Sequence, residues 1–236
     1  MRNKTAPSFV TPEIISGWND WNYQVVVCGK RIRCLIVGEL HYRPEHISKQ
    51  LELIELVKPE FVLHEFGPAW IYDPQGGGYR LQSQRSIRDG IDNDSLERFP
   101  ELLTQQAERL NHKIVGIDLT TAELDIALWR LTKERPDEFE WKQVGEHPFD
   151  GCIIKRDDPD YEFTTQDPLI MELREARMVK EIGRFEKISK APIVVIVGDC
   201  HAENFYTHGL FRGCRFGYVV IHQTKLNRAE SKTSYR

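Results

Sequence analysis

No apolar stretch in this chain of 236 residues approaches the length of a membrane span. The amino end also lacks the apolar core of a secretory signal, because Met1-Arg2-Asn3-Lys4 is followed by Thr, Ala, Pro and Ser. Excess positive charge is missing: the formal net charge is -4, which gives no support to a nucleic-acid surface. Cysteines are few and odd in number. Cys28, Cys34, Cys152, Cys200 and Cys214 have no metal-finger spacing and read as reduced thiols. The glycine run Gly76-Gly77-Gly78 lacks the Gly-Lys-Ser/Thr ending of a phosphate-binding loop, although Arg80, Arg85 and Arg88 follow it. These absences lead to the expectation of a cytoplasmic protein with no membrane span and no nucleic-acid partner.

What is present is an ordinary soluble composition, 40% hydrophobic and 29% charged, in a chain long enough to bury a substantial core. One domain over residues 1–236 is expected. Its most informative feature is the tripeptide Ile-Val-Gly, which occurs three times. Two copies lead into an acid, one free position and a histidine. They are Ile36-Val37-Gly38-Glu39-Leu40-His41 and Ile196-Val197-Gly198-Asp199-Cys200-His201. From composition, roughly half a Gly-x-x-His is expected by chance. Each copy ends an apolar, β-branched run of the kind that forms buried strands. A Gly after a strand allows a sharp turn through positive φ. Both acids and both histidines are therefore expected beyond the carboxyl ends of strands, where open α/β sheets bind ligands. The middle copy, Ile114-Val115-Gly116, leads to Asp118 and to no histidine.

The remaining pattern alternates strands with helices. Tyr23 to Cys28 and Arg31 to Val37 read as a β-hairpin around Gly29-Lys30. A helix from Glu45 to Val57 stops before Pro59, and a strand from Phe61 to Glu65 follows. Ser95 to Leu110 is read as helical with Ser95 as N-cap, Pro100 leaving its start open. Lys113 to Gly116 is a strand and Thr121 to Lys133 a helix. Pro168 to Ile188 is a long helix, capped by Asp167 with Pro168 at its first position. A strand from Ile193 to Val197, a helix from Ala202 to Phe211 and a strand from Phe216 to Ile221 complete the order. The predicted fold is α/β: a mixed, largely parallel sheet opened by a β-hairpin, with helices on both faces. Segments 73–90 and 134–166 break the alternation and are candidate lids.

Two histidines and several carboxylates at strand ends have the ligand chemistry of Zn²⁺, Mn²⁺ or a similar divalent ion such as Co²⁺. The same inventory permits metal-free hydrolysis, with a histidine or Glu39 as general base. Glu65 ends an apolar strand and shares its face with Phe61 and Leu63. Asp118 stands either in the site or as a cap of the helix after it. Arg174 interrupts an apolar stripe of Met171, Met178, Ile182 and Phe185. A guanidinium there needs a site carboxylate or a substrate oxyanion as partner, or else must reach water. Cys200 adjoins His201 and offers a thiol nucleophile, against the competing reading of a buried inert thiol.

The ordered set Gly38-Glu39-Leu40-His41, Glu65, Arg174-Glu175-Ala176-Arg177-Met178 and Gly198-Asp199-Cys200-His201 resembles a superfamily. It joins the TraB/PrgY–Tiki proteins with the erythromycin-esterase-like and ChaN-like proteins. Glu175 departs from the Asp or Asn usual at its position. The resemblance implies a hydrolase of an ester, amide or peptide bond acting on a small-molecule or peptide substrate. In it, His41 and His201 serve as metal ligands or acid/base groups, Glu39 and Glu65 as base or further ligands, and Arg174 as anchor of an oxyanion or carboxylate. Glu65 would join both histidines on a metal, while Asp118 and Asp199 would line the substrate site. The alternatives are a haem- or metal-binding module and a non-catalytic signalling or inhibitory protein. A homodimer is an open option.

Overall fold

A computed structural model describes residues 23–29, 32–40, 44–66, 70–82, 99–214 and 216–223. Its order is β1 (Tyr23–Cys28), β2 (Ile32–Glu39), α1 (Pro44–Val57), β3 (Phe61–His64), β4 (Trp70–Asp73), β5 (Gly78–Leu81), α2 (Glu101–Leu110), β6 (Lys113–Gly116) and α3 (Thr121–Glu134). Then come β7 (Phe139–Gln143), β8 (Gly151–Lys155), α4 (Pro168–Ile188), β9 (Ile193–Gly198), α5 (Asp199–Thr207) and β10 (Gly217–Gln223). Eight strands form one sheet in the order β1-β10-β2-β9-β3-β6-β4-β5. The central five, β10, β2, β9, β3 and β6, run parallel. β1 and β4 are antiparallel to their neighbours. The expected α/β class with a largely parallel sheet is present.

The opening strands do not pair with each other. β10 lies between them, antiparallel to β1 and parallel to β2. Its Val219, Val220 and Ile221 are buried, and a strand apolar on both faces gains most from neighbours on both edges. Gly29 still turns the chain between β1 and β2, at φ 85°. A Cβ there would lie 2.9 Å from the Gly217 Cα, so the crossing over the start of β10 needs glycine.

Helices cover both faces. On one, Leu53 and Ile54 of α1 and Leu103 and Ala107 of α2 pack on Leu35, Val37, Val62 and Val194. On the other, Met178, Ile182 and Phe185 of α4 and Phe205 of α5 pack on Ile36, Leu63, Val115 and Val195. These two layers also set the site: a residue just past a strand inherits the face its parity dictates.

Two expectations change in detail. α2 begins at Glu101 with Pro100 as its N-cap, while Ser95 lies outside the described residues. Residues 134–166 carry regular structure. β7 and β8 pair antiparallel, and Phe139 and Ile153 join Leu128 of α3 and Ile170 of α4 in a third core. Residues 73–82 hold the end of β4, a turn and β5, and 83–90 lie outside the described residues.

Candidate functional site

The parallel strands bring Glu39, Glu65, Asp118 and Asp199 to one end of the sheet. β2 ends at Glu39, which is paired with Gly198 at the end of β9. β3 ends at His64, whose neighbours in register are Ile196 and Gly116. Glu65 continues that line, its amide donating to the Ile196 carbonyl at 3.0 Å. Asp118 stands two residues beyond β6. α5 starts directly at Asp199, which places Asp199 and His201 in its first turn and not ahead of a later helix.

The glycines of the motif act differently from the expectation. None of Gly38, Gly116 and Gly198 has positive φ. Gly38 lies inside β2, and a Cβ on it would fall 2.4 Å from Asp199 Oδ1 and 3.0 Å from Ala202 Cβ. It is glycine because α5 packs its first turn against that strand. Gly198 is the N-cap of α5, and its amide donates to Glu65 Oε2.

Arg174 of α4 joins two of the strand-end acids. Its Nη2 donates to Glu65 Oε1 at 2.6 Å and to Asp118 Oδ2 at 2.5 Å, and its Nε lies 3.0 Å from Asp118 Oδ2. The site-carboxylate partner is thus the one observed. Nη1 takes no partner among the described residues. Asp118 does not cap α3: that role falls to Thr120, which forms a capping box with Glu123. His201 lies on the far side of Glu65. Its Nε2 is 3.5 Å from Glu65 Oε1, and its Nδ1 is 3.0 Å from Glu175 Oε1. The cluster is enclosed, with Glu65, Glu175, Asp118 and His201 all buried.

These contacts set the charges. Burial would raise the Glu65 carboxyl, but hydrogen bonding to His201, the charges of His201 and Arg174, and the Gly198 amide hold it well below the usual carboxylate range. Burial raises Asp118, and Arg174 only partly opposes that, while the Glu65 charge adds to the rise. The two acids share one guanidinium, and Glu65 alone has the imidazole and the Gly198 amide as well. For His201 burial favours the neutral ring, yet hydrogen bonds to Glu175 and Glu65 and the Glu65 charge overcome it, against Arg174, and push it up to about 9. At neutral pH His201 is an imidazolium.

Not every predicted residue enters this cluster. Glu39 belongs by parity to the face of Leu35 and Val37, opposite that of Phe61, Leu63 and Glu65. Its carboxylate accepts from Gln50 of α1. Asp199 is buried against Gly38. His41 lies outside the described residues, so its meeting with His201 is an expectation only. Cys200 is exposed, not buried, while His201 beside it turns inward. Sequence reasoning missed Glu175 and Asn204 as partners of this site. It noted Glu175 only as a departure from a motif, and the i, i+3 spacing of His201 and Asn204 was the available signal.

The described residues do not fit the expected divalent ion. None of their His, Cys, Asp and Glu side chains form a group of three disposed to hold one. The Arg174 guanidinium already occupies the space between Glu65 and Asp118, and His201 faces a carboxylate at each nitrogen. In this arrangement each nitrogen of the His201 ring faces a carboxylate, so neither is turned towards a site for a divalent ion. No helix among the described residues is long and apolar enough to cross a membrane.

No known protein family matches the chain by sequence, and no curated protein matches it. Among solved structures it is similar to ChaN of Campylobacter jejuni, described as binding heme cofacially. That likeness has 8% identity and a TM-score of 0.38, over 80% of this chain and 88% of that one. At this level the likeness carries neither ligand nor activity across.

Proposed function

We propose that the cluster is the acid/base centre of a metal-free hydrolase acting on an ester, amide or peptide bond of a small molecule or peptide. The observation that carries the reading is the His201 ring set between Glu175 and Glu65, beside a guanidinium whose Nη1 has no partner among the described residues. Water adds to the carbonyl and the C–O or C–N bond breaks. His201 Nε2 gives its proton to the departing oxygen or nitrogen, and the proton released by the water restores the ring. Arg174 Nη1 is the donor left for the oxyanion. Glu65, kept ionised, stabilises the imidazolium without competing for its proton.

The test is a panel of esters, amides and peptides offered to the wild type and to His201→Gln, with and without EDTA. The expected result is turnover by the wild type, insensitive to EDTA, and a loss of about 10²-fold or more in the variant. Equal turnover by both proteins, or no turnover of any panel member by the folded wild type, overturns the reading.

A further inference from the structure

Arg174 and Glu175 are consecutive on α4 and serve different halves of the site. Arg174 holds Glu65 and Asp118. Glu175 holds α5: one of its oxygens, Oε1, lies 3.0 Å from His201 Nδ1 and accepts from Asn204 Nδ2 at 2.7 Å. Both partners come from one face of α5, three residues apart. Glu175 is only 4% exposed. A carboxylate so enclosed is costly unless hydrogen-bonded, and here two donors converge on a single oxygen.

The direction of the bond matters more than its existence. An imidazole that donates through Nδ1 must present Nε2 elsewhere, and Nε2 here faces Glu65. The ring is therefore fixed in rotation by one acid and aimed at another. Asn204 in turn prevents the Glu175 oxygen from swinging off the ring.

We propose that Glu175 is the positioning residue of this site: it orients the His201 ring through Nδ1 so that Nε2 points at Glu65, with Asn204 locking it in place. The role rests on the hydrolase reading for its consequence in catalysis, but the orientation itself does not. Glu175 touches no reacting atom; it acts through His201.

The experiment measures the imidazole directly, by NMR of protein carrying ¹⁵N-labelled histidine, with the His201 signals assigned by their loss in His201→Gln. In the wild type the Nδ1 proton is expected well downfield and slow to exchange, as for a charge-assisted hydrogen bond. Glu175→Gln keeps the size and an acceptor oxygen but removes the charge. It is expected to move that proton upfield and speed its exchange, and in the hydrolytic assay to lower kcat with KM held. Glu175→Asp is expected to restore part of the kcat if the shorter arm still reaches the ring. Asn204→Ala, a change at a half-buried position, provides a second variant should Glu175→Gln fail to fold, and is expected to give a smaller shift in the same direction. An unchanged Nδ1 resonance in folded Glu175→Gln, or in Asn204→Ala if only that variant folds, overturns the proposal and leaves a purely structural pair. Because the resonance needs no substrate, a shift without any turnover rejects the hydrolase reading and keeps the orientation.

Discussion

Arg174 and Glu65 meet at 2.6 Å across 109 residues of sequence, and the same guanidinium nitrogen reaches Asp118. The contact joins α4 to the ends of β3 and β6. It also explains why an arginine interrupts an otherwise apolar helix stripe: two strand-end acids share its guanidinium. The Arg174 side chain is 17% exposed and that of Glu65 is 6% exposed, so solvent screens the pair weakly.

Removing the guanidinium should therefore be expensive. Arg174→Met leaves Asp118 without its counter-ion beside Glu65, which keeps only His201 and the Gly198 amide, and is expected to cost about 3 kcal/mol or more in urea unfolding. Arg174→Lys should lie between, because an ammonium keeps the charge but cannot supply both the Nη2 and the Nε bonds that Asp118 receives. An Arg174→Met protein as stable as the wild type would show that the cluster contributes nothing net to the fold.

His201 gives a stability signature in pH. Its folded value, about 9, lies above the ordinary histidine value of 6.5. The folded protein thus holds its proton more tightly, and the associated stability is fully present below pH 6.5. It is lost as pH rises from there through about 9. The amplitude is on the order of 3 kcal/mol. Unfolding free energies measured from pH 6 to 9.5 should fall for the wild type and be flatter for His201→Gln. Parallel slopes would place the origin of the fall elsewhere.

Gly38→Ala tests the reason for the repeated Ile-Val-Gly. The added Cβ would meet Asp199 Oδ1 at 2.4 Å and the Asp199 Cα at 3.0 Å, and the latter is backbone that cannot swing aside. Overpacking of this kind is expected to cost about 1–3 kcal/mol. Pairing it with Asp199→Ala should recover little, since the Cα and Ala202 remain in the way. A neutral Gly38→Ala would mean that α5 can slide off β2 freely.

That glycine also shows how far the sequence could be read. The apolar runs of β2, β3, β6 and β9 announced buried parallel strands, and the positions after them announced Glu65, Asp118 and His201. The reason assigned to the glycines was local, a sharp turn, whereas the observed reason at Gly38 is tertiary: another helix lies against the strand. The same limit applies to Glu39, whose parity sends it to Gln50 and away from His201. It applies as well to β4, β5, β7 and β8. Trp70–Asp73 and Gly78–Leu81 are four residues each and pair with each other, the first also with β6, so their signal lies in partners. Phe139 and Ile153 sit in a polar, proline-spaced segment and become core residues only because α3 and the start of α4 cover them. Pairing of β1 with the last strand rather than with β2 could not be read from a glycine turn, because the competitor is nearly 200 residues away.

The second histidine effect runs in the opposite direction and sits away from the site. His112 follows Asn111, whose left-handed conformation ends α2, and precedes β6. It is 1% exposed, and neither ring nitrogen has a hydrogen-bond partner among the described residues. Burial pushes its pKa down to about 4. The folded chain therefore holds the neutral ring, and the unfolded chain takes up a proton first as pH falls below 6.5. Stability is lost as pH falls from 6.5 towards 4, by roughly 2 kcal/mol at pH 5. His112→Leu removes both the proton site and two unsatisfied nitrogens while keeping the volume close. It is expected to stabilise the protein more at pH 5 than at pH 7.5 and to flatten the acid limb of the unfolding curve. Should the variant lose stability equally at both pH values, the ring would be a packing element whose protonation plays no part in acid unfolding.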